Sequence, residues 1–152
     1  MISGGSDAIV TVGGQVLAAA IVVALSTLGA RQPPSISDGI YTAEQANRGG
    51  VVYRKACESC HAPDLSGGKV VPGLSGSAFS EKWSGVTLGQ WFDLVLTSMP
   101  DGSPAEVTSR EKADILAFVL RESGLPPGDV ELPDRTEVLD AYTFGTDELA
   151  IH

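Results

Sequence analysis

The chain has little cysteine, histidine, methionine or positive charge, and each shortage narrows what it can be. Its 152 residues hold two cysteines, Cys57 and Cys60, and two histidines, His61 and His152. A structural zinc site takes four thiolate or imidazole ligands in paired groups, and no second pair accompanies the first. Ten lysines and arginines stand against nineteen acidic residues, a formal net charge of -9. That balance argues against nucleic acid as a partner and for basic or polar docking partners. No convincing run of alternating apolar and polar residues reads as a strand, so the strand-helix frame of a thioredoxin-like thiol pair is missing and the fold is expected to be all-α.

What is present begins with Cys57-Glu58-Ser59-Cys60-His61, which reads C-x-x-C-H, the attachment pattern for a covalent haem. Thiols two residues apart lie on one short turn, within reach of the two vinyl groups of one porphyrin. The histidine that follows is then placed to coordinate iron from beneath. A simple disulfide or thiol redox pair is the competing reading. For the opposite axial position the sequence offers little: Met1 and His152 are the first and last residues, and Met99 is the internal residue of suitable type. It stands in Thr97-Ser98-Met99-Pro100-Asp101-Gly102, where Pro100 and the Asp-Gly pair favour a turn. Met99 as ordinary core filling is the alternative, and local context alone leaves both open.

Three motifs start helices. Thr42-Ala43-Glu44-Gln45, Thr87-Leu88-Gly89-Gln90 and Thr108-Ser109-Arg110-Glu111 each have capping-box form. The first predicts a helix running into Cys57, and the second a short helix ending just before Met99. The third predicts a helix with Ile115, Phe118, Val119 and Glu122 along one side and Leu116 and Leu120 widening its apolar face. Gly124 and Pro126-Pro127 stop it.

From about Thr42 to about Gly128 the chain resembles a class I cytochrome c. Gly49, Tyr53 and Cys57 fall at the four-residue steps of that family's first helix, whose glycine permits close crossing by the last helix. Pro72-Gly73-Leu74-Ser75-Gly76 resembles the loop whose proline carbonyl accepts the second N–H of the axial histidine. By resemblance Pro72 orients His61, fixing its tautomer and raising its basicity. Phe79 and Trp83 resemble the aromatic pair at the haem edge, where the tryptophan reaches a propionate; for Phe79, plain core packing is the preferred reading. Met99-Pro100 matches the distal loop, and Lys112 to Gly128 resembles the closing helix and its exit. A narrower likeness is to cytochromes serving quinoprotein dehydrogenases. The resemblance implies one haem c, covalent through Cys57 and Cys60, with iron held by His61 and Met99 and flanked by Pro72 and Trp83. It implies electron transfer without catalysis of its own.

The expected organisation is an amino-terminal anchor over 1–30, a linker over 31–41, the haem domain over 42–128 and an acidic tail over 129–152. No charged residue occurs from Ala8 to Ala30, and as a helix the segment would measure on the order of 34 Å, enough to cross a bilayer. A cleaved signal peptide is the alternative; no Lys or Arg precedes the apolar run and no clean small-residue site ends it. Pro33-Pro34, Ser35, Ser37 and Gly39 give the linker its composition, with a reach on the order of 30 Å if extended. The tail carries seven acidic residues against Arg135 and reads either as a solvated segment or as a docking arm, with Tyr142 and Phe144 offering apolar purchase. Arg31 alone would place the large domain in the cytoplasm; covalent haem, by resemblance, is added on the outer side of the bacterial inner membrane, so the domain is expected in the periplasm. Where mobile cytochromes of mitochondrial type present a ring of lysines at the haem edge, this domain has only Lys55, Lys69, Lys82 and Lys112, so its electron partners are expected to differ.

The expected function is a membrane-anchored mono-haem carrier of single electrons between redox partners such as a quinol-oxidising complex, an oxidase, a photosynthetic reaction centre or a dehydrogenase. The alternative is a fixed electron-transfer subunit of a larger complex. A haem sensor would need an open or displaceable sixth site, which Met99 disfavours.

Overall fold

The computed structural model describes residues 34–145. In chain order its helices are α1 (Ala43–Ala56), α2 (Glu58–His61), α3 (Gly76–Trp83), α4 (Leu88–Ser98), α5 (Ser109–Glu122) and α6 (Thr136–Leu139), with 3-10 turns at Ile36–Asp38 and Pro104–Glu106. One isolated antiparallel bridge, Thr87 to Thr143, is the strand-like pairing among the described residues. The anchor expected over 8–30 lies outside them; among those described, no helix is long and apolar enough to cross a membrane.

The three threonines start α1, α4 and α5 as their sequence predicts. Each hydroxyl accepts the backbone N–H three residues on, at 3.1 Å from Gln45, 3.1 Å from Gln90 and 3.3 Å from Glu111. Gln90 and Glu111 return the bond to the Thr87 and Thr108 amides, closing both boxes. Gln45 does not. Its buried amide instead pairs with the backbone of Leu132, donating to the carbonyl at 3.0 Å and accepting from the N–H at 2.7 Å. A side chain expected to serve its own helix end therefore pins a segment 87 residues away.

The core forms where α1 crosses α5. Gly49 makes the crossing possible: a Cβ there would lie 1.8 Å from the Asp114 carbonyl oxygen. One turn further on, the Tyr53 and Phe118 rings meet at 5.1 Å. On the rim Arg48 grips the buried Asp114 carboxylate with two bonds of 3.0 Å and reaches Glu131 at 2.8 Å, while Arg110 binds the other oxygen of Glu131. The Asp114 and Glu131 carboxylates together hold the Arg48 guanidinium more firmly protonated than usual.

Both flanks differ from their expected roles. Within the stretch expected as linker, Ile36 and Tyr41 are fully buried, and the Tyr41 hydroxyl donates to the Leu125 carbonyl at 2.5 Å. Gly39 and Gly128 approach backbone to backbone, and the Gly128 N–H donates to the Tyr41 carbonyl at 2.7 Å. Within the stretch expected as an acidic tail, Leu132, Leu139 and Phe144 enter the core, and α6 lies against α4. Up to Gly145, burial of those three side chains outweighs the solvation of the intervening acids. Phe144 is thus unavailable as an exposed docking contact.

Candidate functional site

Cys57 ends α1 and begins α2. Its N–H donates to the Tyr53 carbonyl at 2.8 Å, and its own carbonyl accepts from Cys60 at 3.1 Å and His61 at 3.0 Å. This one turn carries both thiols and the imidazole. The cysteines are unpaired, Cys57 half-buried and Cys60 exposed. Burial pushes the Cys57 thiol upward, with Lys112 pulling the other way. Tyr53, whose phenol burial raises to about 12, donates to the Ala62 carbonyl at 2.6 Å and secures the exit of the turn.

The His61 ring is buried, and its Nδ1 lies 2.9 Å from the Pro72 carbonyl oxygen. A carbonyl only accepts, so Nδ1 carries the proton and the Nε2 lone pair is left for another partner. The intervening loop is folded to bring Pro72 there. Gly67 donates to the His61 carbonyl at 2.9 Å, Leu74 to Leu65 at 2.8 Å, and the Asp64 carboxylate accepts from the Ser66 N–H and hydroxyl. Those bonds hold the Asp64 carboxyl below its usual range. Gly67 has φ +76, and a Cβ there would meet the Gly73 nitrogen at 2.5 Å, so side chains are excluded from this fold-back.

The aromatic wall is built on α3. Phe79 is buried and meets Trp91 and Phe144 edge-on, with centroids at 6.3 and 5.8 Å, and tilts against Trp83 at 6.3 Å. Trp83 stays half-buried beneath the Lys82 ammonium, 5.2 Å from its ring. Phe79 is therefore a core residue, as preferred from sequence, and the carboxyl-terminal segment supplies part of its packing.

Met99 caps the end of α4, half-buried, its N–H bonded to the Val95 carbonyl at 3.1 Å; the Met99–Pro100 peptide is cis. Lys112, one of the domain's four lysines, is 2% exposed, with Nζ 3.0 Å from the Leu96 carbonyl and 2.8 Å from that of Pro104. Burial pulls its ammonium below the ordinary lysine range. The available signal was helical register: Lys112, Leu116 and Val119 share one face of α5, so the lysine lies on the apolar stripe.

The donor set suits a covalent haem. Two unpaired thiols share a turn, an imidazole is locked in the tautomer that frees Nε2, and a soft thioether stands at the end of α4. Among the predicted site residues the described contact is that of His61 with Pro72; the thiols and imidazole lie on the α2 turn, Trp83 at the end of α3 and Met99 at the end of α4.

No curated protein and no solved structure matches the chain. The family model described as cytochrome C oxidase, cbb3-type, subunit III matches residues 44–119, half of its length and the span from α1 through most of α5. With that match and the Cys57/Cys60 spacing, the chain belongs to the cbb3-type subunit III family and is a small all-α c-type cytochrome, an electron-transfer protein with covalent haem c.

Proposed function

We propose that the chain is a membrane-anchored mono-haem cytochrome passing single electrons at the periplasmic face, and that His61 and Met99 are the residues that would hold its iron. Bound haem supplies a ferrous/ferric couple; the chain's part is to hold it with little rearrangement. Cys57 and Cys60 fix the ring through thioethers, Pro72 orients His61, and Trp83 covers an edge. With Met99 sulfur and His61 imidazole both holding iron, the soft sulfur would favour the ferrous state and so raise the potential relative to two imidazoles. The observation that carries this reading is the 2.9 Å contact of His61 Nδ1 with the Pro72 carbonyl, because it leaves Nε2 free for iron. The apolar stretch 8–30 supports anchoring, and covalent haem supports the periplasmic side.

The test uses the ferrous full-length holoprotein. Carbon monoxide should bind slowly to the wild type and rapidly to Met99→Ala, with the Met-ligated spectrum lost in that variant. Equal rapid binding by both proteins would overturn Met99 as a ligand.

The family description names an oxidase subunit, which favours a fixed place in a complex over a freely shuttling domain. Copurification from native membranes distinguishes the two: constant stoichiometry with partner subunits supports the fixed role, and isolation alone supports the tethered carrier.

A further inference from the structure

We propose that Lys112 is the positioning residue of the Met99 loop, tying its two ends to α5. Its ammonium donates to the Leu96 carbonyl in the last turn of α4 and to the Pro104 carbonyl at the start of the following 3-10 turn. One cation thus closes residues 97–103 from both sides.

Three observations carry this. First, the group is 2% exposed, and no ion pair joins it to a carboxylate among the described residues. A lone ammonium is unfavourable inside a protein unless its donors are satisfied, so the carbonyl bonds are what make this burial tolerable. Second, Leu96 is one of the terminal carbonyls that an α-helix leaves without an intrahelical partner, and a cation there also opposes the negative end of the helix dipole. The last turn of α4 has no basic residue of its own; Lys112 provides one from another helix. Third, the other hydrogen bonds around 97–103 are local. Thr97 and Met99 bond back into α4, Ser103 donates to Pro100, and Glu106 donates to Ser103. The link through Lys112 is the described hydrogen bonding that attaches this stretch to α5, which is buried along most of its length and crossed closely by α1.

Lys112 therefore sets where the Met99 thioether is presented without touching it. The consequence for iron rests on the proposed ligation by Met99; the consequence for the loop does not. Amide hydrogen exchange and carbon monoxide binding in the full-length holoprotein separate the two. In Lys112→Met, exchange at the hydrogen-bonded amides of Ser98, Met99 and Ser103 should rise about tenfold or more while α1 and α5 hold near wild-type protection. Ferrous carbon monoxide binding should quicken by about the same factor as the loop opens. Lys112→Arg, which keeps the cation and its donors, should recover most of both effects.

Unchanged loop exchange in Lys112→Met would overturn the proposal, as would an equal rise throughout α1 and α5. If Lys112→Met does not accumulate with haem, Lys112→Gln is read by the same criteria, and failure of Met, Gln and Arg variants alike would mean that the residue supports the whole core rather than this loop. If wild type and Met99→Ala bind carbon monoxide equally fast, the ligand assignment fails while the exchange data still decide on Lys112.

Discussion

Gly49 has backbone, not a movable side chain, beside it: the missing Cβ would lie 1.8 Å from the Asp114 carbonyl oxygen and 2.9 Å from the Ile115 nitrogen. Relief in Gly49→Ala requires α1 and α5 to part, losing contact along the central crossing, and overpacking of this kind costs about 1–3 kcal/mol or more. Denaturant unfolding of the holoprotein should show that loss, and a change under about 0.5 kcal/mol would contradict the crossing geometry. Glu111 gives a pH signature. Its carboxylate accepts from the Thr108 amide and hydroxyl, which lowers its pKa from 4.5. The unfolded chain then binds more protons in the window below 4.5, so the contribution is complete above that value and fades as pH falls through the lower folded pKa. Glu111→Gln should lower the melting temperature slightly at neutral pH and converge with the wild type in acid, flattening the fall below pH 4.5; an unaltered acid slope would remove Glu111 from the account. At this scale the sequence is legible where the cause is local. Thr87, Thr108 and the Cys57-to-His61 turn involve neighbours three or four residues apart. The partners of Gln45 and Lys112 are not legible, because Leu132, Leu96 and Pro104 offer backbone groups outside each side chain's own helix, which no residue pattern advertises.

Between residue and whole, α1, α4 and α5 could be read from caps and apolar spacing, whereas α3 and α6 could not. The α3 cap residue Ser75 makes no side-chain bond, and Gly76 enters at φ +79, so no local signal precedes the helix. The helix is held by tertiary contacts of Phe79. Residues 129–145 hide their role differently: Leu132, Leu139 and Phe144 lie among acids seven and five residues apart, too sparse to mark an apolar face. Each nevertheless is nearly or fully buried, and burial of such a side chain is worth about 1.5–3 kcal/mol. Thr87 adds a 2.6 Å bond to Asp140, and a Cβ on Gly89 would meet the Thr136 carbonyl at 2.5 Å, which shows how closely α6 sits on α4. Truncation after Gly128 should therefore lower the melting temperature of the holoprotein by more than about 10 °C, or prevent its accumulation. A truncated protein melting within a few degrees of wild type would mean that this segment is an accessory after all.

At the scale of the molecule, charge is unevenly placed. The chain carries -9 overall, but Lys55, Lys69 and Lys82, near the haem-attachment turn or on α3, are exposed, while Lys112 is withdrawn into the core. Two fields therefore act on an approaching partner, the long-range negative one of the whole chain and a short-range one in which these lysines stand among Glu58, Asp64 and Glu81. The screening length is about 8 Å at physiological salt and about 30 Å at 0.01 M, so raising ionic strength suppresses the long-range field first. Small redox probes of opposite charge can separate them. Oxidation of the ferrous holoprotein by tris(phenanthroline)cobalt(III), a cation, should slow as salt rises, and oxidation by hexacyanoferrate(III), an anion, should quicken, because net charge governs encounter at low salt. Replacing Lys55, Lys69 and Lys82 together by glutamine would make the field more negative and steepen both trends. If hexacyanoferrate instead slows with salt in the wild type and loses that slope in the triple variant, the three lysines, not the net charge, steer the approach. That outcome would imply acidic docking faces on the natural partners, and the expected one basic or polar faces.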